Sequence, residues 1–138
     1  MRKFIYCLLL FCVSMLGVEA ASQKKYPVIK FEETTVDFGT FSIDNPVQTA
    51  VFKFRNVGKA KLVINTVHTS CGCTVADYPK DFISPGGSGQ ITVTYDATNK
   101  MPGRFKRMIQ VFTNCKNDCV RIAIQGTMSD LPREKSKK

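Results

Sequence analysis

The chain has 138 residues, 43% of them apolar and 22% charged, with six cysteines, one histidine and no tryptophan. That length supports one domain, the apolar fraction excludes a disordered chain, and a lone histidine excludes a multi-histidine metal centre. Twenty lysines and arginines stand against eleven aspartates and glutamates, a formal net charge of +9.

Arg2 and Lys3 precede a fifteen-residue apolar run from Phe4 to Val18, and small residues follow at Ala20 and Ala21. This is the pattern of a secretory signal peptide, with cleavage expected near Ala20. The run is shorter than the roughly twenty residues of a membrane span, and no later stretch approaches that length. No transmembrane segment is therefore expected after cleavage. Lipid anchoring would need a small residue before the modified cysteine, but Tyr6 precedes Cys7 and Phe11 precedes Cys12. Residues 1–20 are assigned to the signal and 21–27 to a flexible N-terminus, and the expected location is the periplasm or the exterior. Removing Arg2, Lys3 and Glu19 leaves eighteen basic and ten acidic residues, a net charge of +8. Four cysteines remain, Cys71, Cys73, Cys115 and Cys119, and in an oxidising compartment disulfides are the first chemistry to consider.

From Val28 onward the apolar period is two. Strands are predicted at Val28 to Phe31, Thr35 to Phe38, and around Ala50, Phe52 and Phe54, which alternate with Val51, Lys53 and Arg55. They continue at Leu62 to Thr69, at Ile91, Val93 and Tyr95, at Phe105 to Thr113, and at Val120, Ile122 and Ile124. Turn residues separate them: Asp44-Asn45-Pro46, Asn56-Val57-Gly58-Lys59, Ser84-Pro85-Gly86-Gly87-Ser88-Gly89, Met101-Pro102-Gly103 and Lys116-Asn117-Asp118. About seven short strands over residues 28–128 predict an all-β protein, an immunoglobulin-like antiparallel β-sandwich. The tryptophan and widely spaced cysteine pair of antibody domains are missing. The last residues, 129–138, carry Arg133, Lys135, Lys137 and Lys138 without apolar content and read as a disordered basic tail.

The order of Val36-Asp37-Phe38-Gly39, Phe52-Lys53-Phe54-Arg55-Asn56-Val57-Gly58, Leu62-Val63-Ile64, Ser70-Cys71-Gly72-Cys73-Thr74, Ile83-Ser84-Pro85-Gly86-Gly87, Ile91 to Asp96 and Ile124-Gln125-Gly126 resembles the exported bacterial domain-of-unknown-function family 1573. That family is similar to the Hydin and major-sperm-protein group of immunoglobulin-like domains. The resemblance spans about residues 28–128, and Ser70-Cys71-Gly72-Cys73-Thr74 is its most specific element. It implies the fold and no particular activity.

Immunoglobulin-like connectivity sends the 62–69 strand toward one pole and returns the 105–113 strand to the other. Cys71 and Cys73 should then lie a strand length, roughly 20 Å, from Cys115 and Cys119, whereas bridged Cα atoms lie within about 7 Å. Two separate pairs are expected, and a four-thiolate zinc site is disfavoured. Across the hairpin Cys115-Lys116-Asn117-Asp118-Cys119 the thiols should face each other, so a Cys115–Cys119 disulfide is predicted. For Cys71 and Cys73 three readings stay open. They form buried thiols or a structural bridge, or a small-ring disulfide suited to thiol redox, or a pair of thiolates for Cu(I) with His68 or Met101 as a further ligand. A solitary His68 at a strand end is most often a surface residue.

No catalytic set emerges. Ser88 sits in a glycine-rich turn without the context of a nucleophile elbow, and Glu32 and Glu33 as strand neighbours would point to opposite faces. Arg104, Lys106 and Arg107 around Phe105 fall short of a single-strand-binding platform, and an exported chain is not expected to meet nucleic acid. The reading is an exported, non-catalytic binding or structural module of the cell envelope without a cofactor, its partner a protein or an envelope glycan. The alternative is a Cys-x-Cys thiol-redox or Cu(I)-binding envelope protein.

Overall fold

Alternation of apolar and polar side chains becomes two stacked sheets. A computed structural model describes residues 24–130; the expected signal peptide, residues 21–23 and the 131–138 part of the tail lie outside the described residues. The strands are β1 (Ile29–Phe31), β2 (Thr35–Ser42), β3 (Val47–Asn56), β4 (Ile64–Thr69), β5 (Thr74–Asp77), β6 (Ser88–Asp96), β7 (Gly103–Thr113) and β8 (Cys119–Ser129). The first sheet has the order β1-β3-β6-β5 and the second β2-β8-β7-β4. The described residues contain no helix long and apolar enough to cross a membrane.

The expected all-β sandwich is present, with three refinements. The strands number eight: the unforeseen β5 is a four-residue edge strand, Thr74–Asp77, too short to display a period. The sandwich is not purely antiparallel, because β2 pairs with β8 in parallel. That pairing follows from residues 32–34, which carry the chain from the first sheet to the second, so Glu32 and Glu33 sit in the crossover and not on a strand. Third, the docked chain begins at Tyr26 and not at Val28, since the Lys59 N–H donates to the Tyr26 carbonyl at 3.0 Å and the Val57 N–H to that of Val28 at 2.9 Å. A side chain at Gly58 would overlap the Tyr26 and Val28 backbone, so glycine permits this close approach.

The core is the inward row of each strand. Phe52 and Phe54 from β3 and Ile91, Val93 and Tyr95 from β6 face Ile109 and Val111 from β7 and Ile122, Ile124 and Met128 from β8. Tyr95 and Phe105 join the layers as a stacked pair, ring centroids 4.3 Å apart, with Phe38 and Phe41 packed around Phe105. Burial of this apolar surface is the main driving force for folding. Ala123 alternates with the inward-facing Ile122 and Ile124 and yet is 3% exposed. Its strand is central in its sheet, and Ala123 stands between Thr35 of β2 and Met108 of β7, both larger residues.

Three polar residues, Asn56, Thr74 and Thr113, are buried in this apolar frame, Asn56 most completely. Asn56 is fully buried, and its Nδ2 donates to the carbonyls of Ala60 and Ile83 at 2.8 and 2.9 Å. Its Oδ1 accepts from the N–H groups of Gly58 and Val28 at 3.1 and 3.3 Å. The Asn56 backbone N–H donates to Gly87 and its carbonyl accepts from Gly86. One side chain thus ties together the end of β3, the docked N-terminal segment, the loop after Gly58 and the segment before β6.

Candidate functional site

Ser70-Cys71-Gly72-Cys73-Thr74 forms the turn where the chain leaves β4 in the second sheet and enters β5 in the first. The Thr74 N–H donates to the Cys71 carbonyl at 3.1 Å, and the Thr69 hydroxyl lies 3.2 and 3.0 Å from the Cys71 and Thr74 carbonyls. The Asp96 N–H donates to the Cys73 carbonyl at 2.8 Å, anchoring the turn to β6. Within this frame Cys71 and Cys73, both half-buried, are joined by a disulfide with Cα atoms 5.2 Å apart. A groove of about 410 Å³ runs beside Cys73, bordered by Val47, Val75, Thr94, Asp96, Thr98 and Lys100.

The predicted Cys115–Cys119 bridge is not formed, and both thiols are free. The hairpin register explains the difference. Cys119 stands opposite Phe112, and the Thr113 N–H donates to the Asp118 carbonyl at 2.7 Å, so Cys115 lies in the loop and has no cross-strand relation to Cys119. The loop leans on the segment just before β4 instead: Asn114 donates through Nδ2 to the Lys61 carbonyl and accepts from the Val63 N–H, and Cys115 packs against the core. The two cysteine pairs do lie at opposite ends of β4, because Ile64 pairs with Thr113 and Thr69 with Ile109.

The alternative metal set of Cys71, Cys73, His68 and Met101 is not assembled. Bridged sulfurs offer no thiolate, Met101 is 89% exposed on the loop before β7, and His68 lies edge-on to Phe112, ring centroids 5.4 Å apart, on the outer face of the second sheet. Among the described residues no three His, Cys, Asp or Glu side chains gather where they could hold a metal ion.

That outer face carries a site the sequence reading missed. Register places Asp37, Gln125 and Lys106 in one row across β2, β8 and β7, and Thr40, Thr127 and Arg104 in the next. Between the rows β2 bulges, Gly39 has a left-handed φ of 64°, and a groove of about 520 Å³ opens over Gly126 and Phe105. The Asp37 carboxylate is fixed in it. Gln125 Nε2 donates to Oδ2 at 2.9 Å and the Gly39 N–H to Oδ1 at 2.7 Å. The Gln125 bond first, then the Gly39 bond and the nearby Arg104 charge, hold the Asp37 carboxyl below the usual aspartate range. Signals available in the sequence were Gly39 and Gly126, which flank the groove, but only the register brings together residues 37, 104 and 125.

A folded-state pKa below the unfolded one favours folding above the ordinary aspartate range, and that contribution is lost as pH falls through the lowered value. We expect the Asp37 carboxyl resonance to titrate below an ordinary aspartate, and Gln125→Ala to move its midpoint up. An unchanged midpoint in the variant would show that the Gln125 bond does not set the shift.

Two face-to-face sheets of four strands each, with a first segment that switches between them, define an immunoglobulin-like β-sandwich. A family model described as "Protein of unknown function (DUF1573)" matches residues 29–128, and the chain belongs to that family. No curated protein matches the sequence. Among solved structures, a protein of unknown function from Porphyromonas gingivalis W83 is similar at 21% identity and TM-score 0.64, over 80% of this chain and 51% of that one. The chain thus spans about half the length of that relative. The PapD-like domain 7 of human CEP192 is similar at 8% identity and TM-score 0.57, covering 75% of this chain and 87% of that one. The Vibrio cholerae VesB protease is similar at 11% identity and TM-score 0.56, over 75% of this chain but only 32% of the protease. At such identities the likeness concerns the fold.

Proposed function

We propose that the protein is an exported, non-catalytic binding module of the cell envelope that engages its partner through the open face of the second sheet. The observation that carries this reading is the groove over Gly126, where a fixed carboxylate, an amide, two hydroxyls and two cations converge on a rigid sheet. A few placed polar groups in a concave surface are what ligand recognition requires, and side chains on strands hold position better than those on loops. Export rests on the charged start and apolar run of residues 1–20. Expression of the full chain in its host, followed by fractionation, intact-mass measurement and co-sedimentation with the envelope, tests both parts. The expected product starts at Ala21 and sediments with the envelope. A protein that keeps residues 1–20 in the cytoplasm, or an exported one that stays wholly in the supernatant, contradicts the reading.

A second reading is favoured by the Cys71–Cys73 bridge at a half-exposed turn beside a groove. It is thiol–disulfide exchange, in which an external dithiol is oxidised as the bridge opens to two thiols. Thiol titration of the unreduced protein lacking residues 1–20 should give two free thiols, those of Cys115 and Cys119. If two more do not appear under a mild dithiol that leaves the fold intact, the bridge serves as a staple.

A further inference from the structure

We propose that the groove across β2, β8 and β7 binds an acidic sugar unit of an envelope glycan, an inference that rests on the binding-module reading and names the partner of that site. The geometry sets the class. Adjacent strands lie about 4.8 Å apart and the two rows roughly 7 Å apart along β7 and β8, so six polar side chains cover an area suited to one sugar ring and its substituents. The groove volume of about 520 Å³ accommodates a unit of that size.

The chemistry of the rows is mixed, and that mixture selects the ligand. Arg104 and Lys106 are exposed on β7 and present two cations on one side. Arg104 can take a carboxylate, sulfate or phosphate in a two-pronged hydrogen bond. On the other side stands Asp37, an anion held in place by Gln125 and Gly39, each of its oxygens retaining capacity to accept. A bare polyanion such as a phosphate chain gains from the cations and is repelled by Asp37. A neutral sugar satisfies Asp37 with its hydroxyls and leaves the cations unused. A ring carrying both hydroxyl donors and an anionic substituent satisfies the whole set, with the Thr40 and Thr127 hydroxyls able to donate to or accept from the remaining ring oxygens.

The test uses the sign of one substitution. The protein made from the full 138-residue chain is titrated with tetragalacturonate, its neutral methyl ester, inorganic polyphosphate and phosphatidylglycerol vesicles, with backbone amide NMR shifts as readout. Tetragalacturonate should move the amides of residues 37–40, 104–106 and 125–127, and the methyl ester should not. Arg104→Gln with Lys106→Gln should weaken binding by about tenfold or more. Asp37→Asn keeps the turn at Gly39 and raises the net charge by one, so simple electrostatic attraction predicts tighter binding. The proposal predicts a loss of about fivefold.

Equal or tighter binding by Asp37→Asn overturns the proposal. So does equal binding of polyphosphate or vesicles with the same order of variants, which would mean a general anion surface or a lipid surface. Co-sedimentation with the envelope separates the two levels. If the protein sediments with the envelope but ignores tetragalacturonate, the glycan assignment falls and the binding module stands. If it does neither, both fall.

Discussion

Replacing Asn56 with alanine will lower the melting temperature by on the order of 10 °C or more, although it removes only a side-chain amide group. The side chain makes four hydrogen bonds in a site from which water is excluded. Its loss leaves the N–H groups of Val28 and Gly58 and the carbonyl of Ala60 without these partners, whereas the Ile83 carbonyl still accepts from the Leu62 N–H. Each buried group left unsatisfied costs about 1–3 kcal/mol, so three place the total near half the stability of an ordinary domain. Asn56→Asp retains the shape but points an anion at two carbonyl oxygens. That variant should be destabilised at neutral pH and recover partly in mild acid, because burial raises the carboxyl pKa and the protonated form donates one bond. Thermal unfolding of the three proteins at two pH values provides the check, and an alanine variant within about 1 kcal/mol of the parent would mean that water replaces the side chain.

Phe105→Ala should cost about 3–5 kcal/mol, read as a fall in the urea midpoint at an unchanged slope. Phe105 is 9% exposed and stacks on Tyr95 across the layers, with Phe38 and Phe41 at centroid distances of 6.4 and 5.9 Å. Truncation leaves a void that three aromatic rings on two other strands, β2 and β6, border, and rings anchored on sheets collapse poorly into a gap. Phe105→Leu retains part of the volume and should cost much less. Equal losses for the two variants would assign the effect to the ring stacking and not to the cavity.

The alternating strands β3 and β6 were legible because they are long enough to display a period and have one wet face; Phe52, Phe54, Ile91, Val93 and Tyr95 fall where the alternation places them. The four residues of β5 were not, since a strand that short has no pattern to read. Asn56 looked like turn chemistry ahead of Gly58, which it is, but its burial depends on Val28 and Ile83, each more than twenty-five residues away. The Cys115–Cys119 expectation failed on register: spacing alone does not say which residue of a hairpin loop faces which. The groove was invisible for a related reason. Asp37 and Gln125 are separated by 88 positions, and their meeting follows from parallel pairing of β2 with β8, which no local signal announces.

The same pairing constrains the order of assembly. β8 stands between β2 and β7, so nearly the first strand of the domain waits for the last one before it acquires a neighbour. A chain lacking residues 119–129 has no strand to join β2 to β7 in its second sheet, so Phe38 and Phe41 lack the backbone pairing that holds them over Phe105. Closing a loop that nearly spans the domain is slow compared with forming a hairpin. β2 can therefore take its place in the second sheet only after Ser129 has been made, whereas β1, β3, β5 and β6 pair among themselves without β8.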